Sequence, residues 1–188
     1  MISREQALKI LHQNLKNDNL RRHCYAVEAV MKALAEKLGG DKEKWGLVGL
    51  LHDGDYEKTK ETPEKHTLLM AQWLKDAGEE DQEVLEAVLS HNYHQTGKNK
   101  PATKMEWALY CSDDLTGLIV ATALVMPDKK LASVKVESVL KKMKDKPFAA
   151  AIDREQIKMS QEKLGISLEE FVKICLEAMQ EISDDLGL

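Results

Sequence analysis

Residues 20–53, LRRHCYAVEAVMKALAEKLGGDKEKWGLVGLLHD, read as two successive helices. In the first, Leu20, Cys24, Val27, Met31, Leu34 and Leu38 recur at steps of four and three, which puts them on one buried stripe. Gly39-Gly40 stops it, because glycine readily takes the left-handed conformation past a helix end. Asp41 can cap the second, Lys42 to about Leu51. Upstream, Ser3 with Gln6 forms a capping box ahead of Ala7, Leu8, Leu11 and Leu15. Downstream, Thr62-Pro63 opens a fourth helix with proline at its first position, and Gly78 closes it. A fifth helix covers about Asp81 to Ser90, followed by the polar loop HNYHQTGKNKP, residues 91–101. Thr103 and Glu106 make a second capping box and start the longest helix, which ends before Pro127. A lysine-rich helix follows from about Leu131 to Lys144, and the pairs Asp153/Gln156 and Ser167/Glu170 cap two more.

No sustained apolar/polar alternation is present, so the expected fold class is all-α. The expected organisation is one helical bundle with a core over about residues 20–126 and added helices over 127–188. The 188 residues include only ten glycines and four prolines, too little turn chemistry for a sandwich of short strands. The longest strongly apolar run, Leu118–Met126, has nine residues, whereas a membrane-spanning helix needs roughly 20. The opening MISREQALKILHQ has no basic head followed by an apolar block, so no secretory signal is expected. Cys24, Cys111 and Cys175 form no CxxC pair and read as small buried residues of a reducing compartment. A cytoplasmic location is the expectation. The formal net charge of -5 offers nucleic acid no general attraction, and three Trp, four Tyr and two Phe leave few stacking platforms.

The candidate chemistry lies in histidine and aspartate. His23 stands beside the stripe of its helix, and His52-Asp53 closes the apolar run Trp45–Leu51. Asp113 falls between Leu109 and Leu115 of the longest helix. Each alone has a structural reading: a histidine beside a core is ordinarily hydrogen-bonded scaffold, and a mid-helix aspartate faces solvent. The joint pattern argues otherwise. A buried ionised carboxylate is costly unless paired or metal-bound, and bundles build metal sites from inward-facing side chains.

His23, the pair His52-Asp53 and Asp113 within CSDDLTGLI resemble the H…HD…D signature of the HD superfamily of metal-dependent phosphohydrolases, in order and spacing from about Arg22 to Val125. The pieces LLHDGDYEKT, SDDLTGLIVATALVMP and KKMKDKPFAAAIDRE are similar to a smaller bacterial and archaeal branch of predicted HD hydrolases. The resemblance implies that His23, His52, Asp53 and Asp113 bind one divalent ion and, as in many members of the family, that His66 and His91 hold a second with Asp53 then bridging, which gives one or two ions per chain. Manganese, iron, nickel, cobalt, magnesium or zinc would each suit such ligands. It further implies hydrolysis of a small phosphorylated substrate, a phosphate ester or nucleotide, through metal-activated water. Asp53 and Asp114 are then the catalytic candidates, with Asp114 or Asp55 orienting water, and Lys58, His94 and Lys142 the substrate contacts. Two departures stand out. The residue after the HD pair, usually aliphatic in the family, is Gly54, and the family's following lysine has no counterpart at the same spacing, which leaves Lys58.

The lysine-rich segment Lys129–Lys146 carries seven lysines against Asp128 at its edge, Glu137 and Asp145. It is either a solvated helix face or a guide for an anionic substrate. Trp45, Trp73 and Trp107 read as core. Two other functions keep the same fold: a di-iron oxygenase, and a non-catalytic ligand-binding module.

Overall fold

A computed structural model describes all 188 residues, and it is helical throughout, with no strand. The first three helices are α1 (Arg4–Asn14), α2 (Asp18–Leu38) and α3 (Lys42–Leu51). The middle of the chain forms α4 (Tyr56–Thr59), α5 (Leu68–Asp76), α6 (Gln82–His91), α7 (Tyr93–Thr96) and α8 (Lys104–Leu124). The last third supplies α9 (Val136–Lys144), α10 (Arg154–Leu164), α11 (Leu168–Glu181) and α12 (Ser183–Leu186). The expected caps are in place. Ser3 and Thr103 close their capping boxes, Asp41 accepts from Lys44 N–H, and Gly39 ends α2 at φ 73°. Asn17 adds a cap that starts α2 two residues ahead of Leu20, by accepting from the N–H groups of Asn19 and Leu20.

One cluster of 46 buried apolar residues extends from Ile2 to Leu186. The three cysteines are buried and free, Trp45 and Trp107 are core, and Trp73 is half-buried. No helix is long and apolar enough to cross a membrane.

The α2–α3 pairing is the most extensive in the molecule, and Gly49 explains its closeness. A Cβ there would stand 2.7 Å from the Val27 carbonyl oxygen on α2, so only glycine lets the two backbones meet. That contact brings the His23 turn of α2 against the end of α3. Helix α8 runs beside α2, α6 and α10, carrying Asp113 into the same space.

Two helices expected to be continuous are broken. Over residues 62–78, Pro63–Lys65 is a 3-10 turn, Thr67 takes φ 69°, and α5 begins only at Leu68. The Asn92 side-chain amide donates to the carbonyls of Pro63 (2.8 Å) and His66 (3.1 Å), replacing the helical bonds those groups would accept. Over 131–144, Leu131–Ser133 is likewise a 3-10 turn before α9. There Gln180 on α11 donates to the carbonyls of Leu131 (2.8 Å) and Val134 (3.2 Å). In both places an amide distant in sequence takes over carbonyls that a helix would use.

Candidate metal centre

Four imidazoles and two carboxylates meet where the second turn of α2, the C-terminal ends of α3 and α6, the middle of α8 and the break before α5 converge. His23 Nε2 is 2.8 Å from Asp113 Oδ1 and 3.2 Å from His52 Nε2. Asp53 faces both halves of the cluster. Its Oδ2 lies 3.7 Å from His23 Nε2 and 3.8 Å from His52 Nε2. Its Oδ1 lies 3.1 Å from His66 Nε2 and 3.2 Å from His91 Nε2. The ligating atoms of His23, His52 and Asp113 lie within 4.8 Å of one another, as do those of His52, Asp53 and His91, so either group could hold a metal ion.

The hydrogen-bond network assigns the tautomers. The Thr116 hydroxyl donates to the Asp113 carbonyl (2.8 Å) and therefore accepts from His23 Nδ1–H (3.3 Å). His52 Nδ1–H donates to Gly49 O (2.7 Å), and His66 Nδ1–H to Asp55 Oδ1 (2.7 Å). Each of these rings then turns an Nε2 lone pair inward, the arrangement by which outer hydrogen bonds orient metal-ligating histidines. Two lone pairs 3.2 Å apart, on His23 and His52, need a proton or a cation between them. The donor set thus fits a divalent ion that takes imidazole and carboxylate. His91 differs: its Nδ1 is buried without a partner, and its ring is held edge-on by His52 (4.7 Å) and His66 (5.3 Å).

The electrostatics make the same demand for positive charge. Burial works against protonated His23, but its hydrogen bond to Asp113 and the charges of Asp113, Asp53 and Asp114 lift it to about 9. Burial likewise opposes the charge on His66, yet Asp53 and Asp55 raise it to about 9. His91 stays below the ordinary value because burial dominates. Burial favours neutral carboxyls at Asp53 and Asp113, but the neighbouring imidazoles hold both well below the usual range. Beside them, Asp114 is pushed up to about 7 by burial and by Asp113.

Solvent reaches the centre chiefly past His23 and Asp113. The His23 and Asp113 side chains keep 24% and 19% exposure, whereas His52 keeps 0% and His91 4%. The mouth therefore lies along α2 and α8, next to Asp114, whose Oδ2 accepts from the Asp153 N–H (3.2 Å).

Among the sequence candidates, His23, His52, Asp53, His66, His91 and Asp113 come together. His94 is exposed, with its ring 6.3 Å from that of His91. Lys58 does not join them: its ammonium donates to Asn14 Oδ1 (2.7 Å) and lies over the Trp73 ring. Lys142 pairs with Asp145 (3.3 Å) and stacks on Phe148. Both are held by partners within reach of long flexible stems, which spacing from the HD pair does not reveal.

The sequence left the role of Asp55 open, and the structure gives it a partner. It is fully buried, with one oxygen on His66 Nδ1 and the other accepting Met70 N–H (2.9 Å). Both oxygens are engaged within the protein, and full burial keeps the carboxylate from solvent. Its task is to aim His66, and the signal was the second aspartate of HDGD, two residues after the first. Asp55→Asn would set an amide donor against either Met70 N–H or His66 Nδ1–H. It should weaken metal binding roughly ten- to a hundredfold, measured by metal titration of the stripped protein; unchanged affinity would refute the role. Gly54 also has its reason: a Cβ there would stand 2.7 Å from Met70 Sδ, so Met70 fills the place of the missing aliphatic side chain.

The model of the HD domain matches residues 20–152, a span that contains all six converging residues. The chain belongs to the HD-domain family. HD domains bind divalent metals and are mostly metal-dependent hydrolases. The family match reaches past α8 and α9 to the segment leading into α10. No curated protein and no solved structure matched the chain.

Proposed function

We propose that this HD domain is a metal-dependent phosphohydrolase acting on a small phosphate ester or nucleotide, with a dinuclear centre. His23, His52, Asp53 and Asp113 would hold one ion, and Asp53, His66 and His91 the other. The observation that carries this reading is the split of Asp53, Oδ2 toward His23 and His52 and Oδ1 toward His66 and His91. A carboxylate with each oxygen toward a different histidine pair supports a bridging role.

Divalent ions held by these residues would supply a coordinated water of lowered pKa and positive charge for the phosphoryl oxygens. The residues of the chain then divide the remaining work. Thr116, Gly49 and Asp55 fix three imidazoles in ligating orientation. Asp114, at the mouth, spends one oxygen on Asp153 N–H and keeps the other to orient a water. His94 stands as a contact to the substrate beyond the phosphate.

Elemental analysis of protein purified without chelators, joined to a phosphate-release screen across nucleotides and sugar phosphates, tests the proposal. About two ions per wild-type chain and about one in His91→Ala are expected, with phosphate release lost on chelation and restored by metal. Turnover unaffected by a chelator would overturn the hydrolase reading. Iron with oxygen-dependent turnover, and no phosphate release, would replace it with the oxygenase.

A further inference from the structure

Between α9, the 145–153 segment, α10 and the first turn of α11 lies a cleft of about 970 Å³, at the upper end of the roughly 300–1,000 Å³ of small-molecule pockets. Its apolar side includes Leu140, Met143 and Ile152, and its basic side Lys144, Lys146 and Arg154. Three features point to a ligand.

The first is charge. Arg154 is only 9% exposed, and its guanidinium donates to the carbonyls of Asp145, Phe148, Ala149 and Ile152. No carboxylate pairs with it, and its Nε is buried without a partner. Carbonyls satisfy its two terminal nitrogens but leave its positive charge in place, and buried charges are ordinarily paired. The neighbouring acids are engaged elsewhere: Asp145 with Lys142, Glu155 with Lys158, and the Asp153 side chain with the N-terminus of α10. Lys144 and Lys146 are exposed and make no ion pair, while Glu169 stands exposed on α11.

The second feature is strain. Ala149 takes φ 47°, a left-handed conformation that costs an alanine about 1 kcal/mol. The four Arg154 bonds hold the loop in that shape, and strain held in this way concentrates at ligand sites. The third is space. Ala150 and Ala151 line the cleft with the smallest side chains that an L-residue offers.

We propose that this cleft binds a small amphipathic organic anion. Its charged head sits by Lys144 and Lys146 near the Arg154 guanidinium, and its apolar body lies on Leu140, Met143 and Ile152. The cleft meets the mouth of the metal centre at Asp153, but the binding does not depend on the reaction there.

Calorimetric titration of the whole, metal-loaded protein with hexylphosphonate, which has no ester bond to cleave, tests this. Wild type should bind it more tightly than inorganic phosphate. Both Ala151→Trp and the double variant Lys144→Glu/Lys146→Glu, all at exposed positions, should weaken it roughly tenfold or more. Three outcomes overturn the proposal: no binding to wild type, phosphate bound as tightly as hexylphosphonate, or equal affinity in wild type and both variants, which would put the anion on the metals.

Discussion

Replacing Asp53 with alanine is expected to remove both metal ions and lower phosphate release on the order of a thousandfold or more. Asp53 is the one side chain facing both histidine pairs, at 3.1 and 3.2 Å through Oδ1 and 3.7 and 3.8 Å through Oδ2. On the proposed dinuclear reading, removing it would take a ligand from each ion at once, whereas His91→Ala would take one ligand from one ion. Asp53→Asn preserves shape and halves the anionic donors, so it should retain part of the metal while losing most of the activity. Circular dichroism separates a lost site from a lost fold. Full metal content in a folded Asp53→Ala protein would eliminate the bridging role.

The second large effect concerns the scaffold. Glycine-to-alanine changes inside helices ordinarily stabilise by about 1 kcal/mol. At Gly49 the new Cβ would meet the Val27 carbonyl oxygen at 2.7 Å and its carbon at 2.9 Å. Backbone cannot move aside as a side chain can, and overpacking costs about 1–3 kcal/mol even in yielding cores. Gly49→Ala should therefore destabilise the protein by about 2 kcal/mol net, a fall in Tm of roughly 4–8 °C for a domain this size. It should also weaken metal binding, because the wedge separates the α3 end carrying His52 from the α2 turn carrying His23. Gly46→Ala is the control. Its Cβ would meet the Lys32 side chain, nearest at Cε (2.5 Å), which can swing away, so that change should be near neutral. Equal thermal shifts for the two variants would show that helix spacing does not rest on Gly49.

Much of the site was legible because its parts are local. The resemblance rests on an adjacent His52-Asp53 at a helix end, with His23 and Asp113 on helices whose apolar stripes and caps show their extent. The six residues it named as metal ligands are the six that converge. Lys58, Lys142 and Asp55 were read less well for a common reason. Each role is decided by a partner that spacing along the chain does not expose: Asn14 and Trp73 for Lys58, Asp145 and Phe148 for Lys142, His66 and Met70 N–H for Asp55. Long stems and short carboxylates alike go to whatever partner the fold brings within reach.

The sequence by itself determined that this protein is a helical HD domain, where most of its helices start and stop, and which imidazoles and carboxylates could share a centre. Helix periodicity and capping act over three or four residues, so they are written in the chain. Only the tertiary structure decided that the helices expected over 62–78 and 131–144 break, because Asn92 and Gln180 reach in from 26 and 46 residues away to the nearer of their acceptor carbonyls. It alone decided that Asp55 aims His66 and that solvent enters beside His23 and Asp113. It also left Arg154 buried beside an open cleft with no acid to answer its charge. Hydrogen bonds between distant segments exist only once the core has brought those segments together, and no local pattern encodes them.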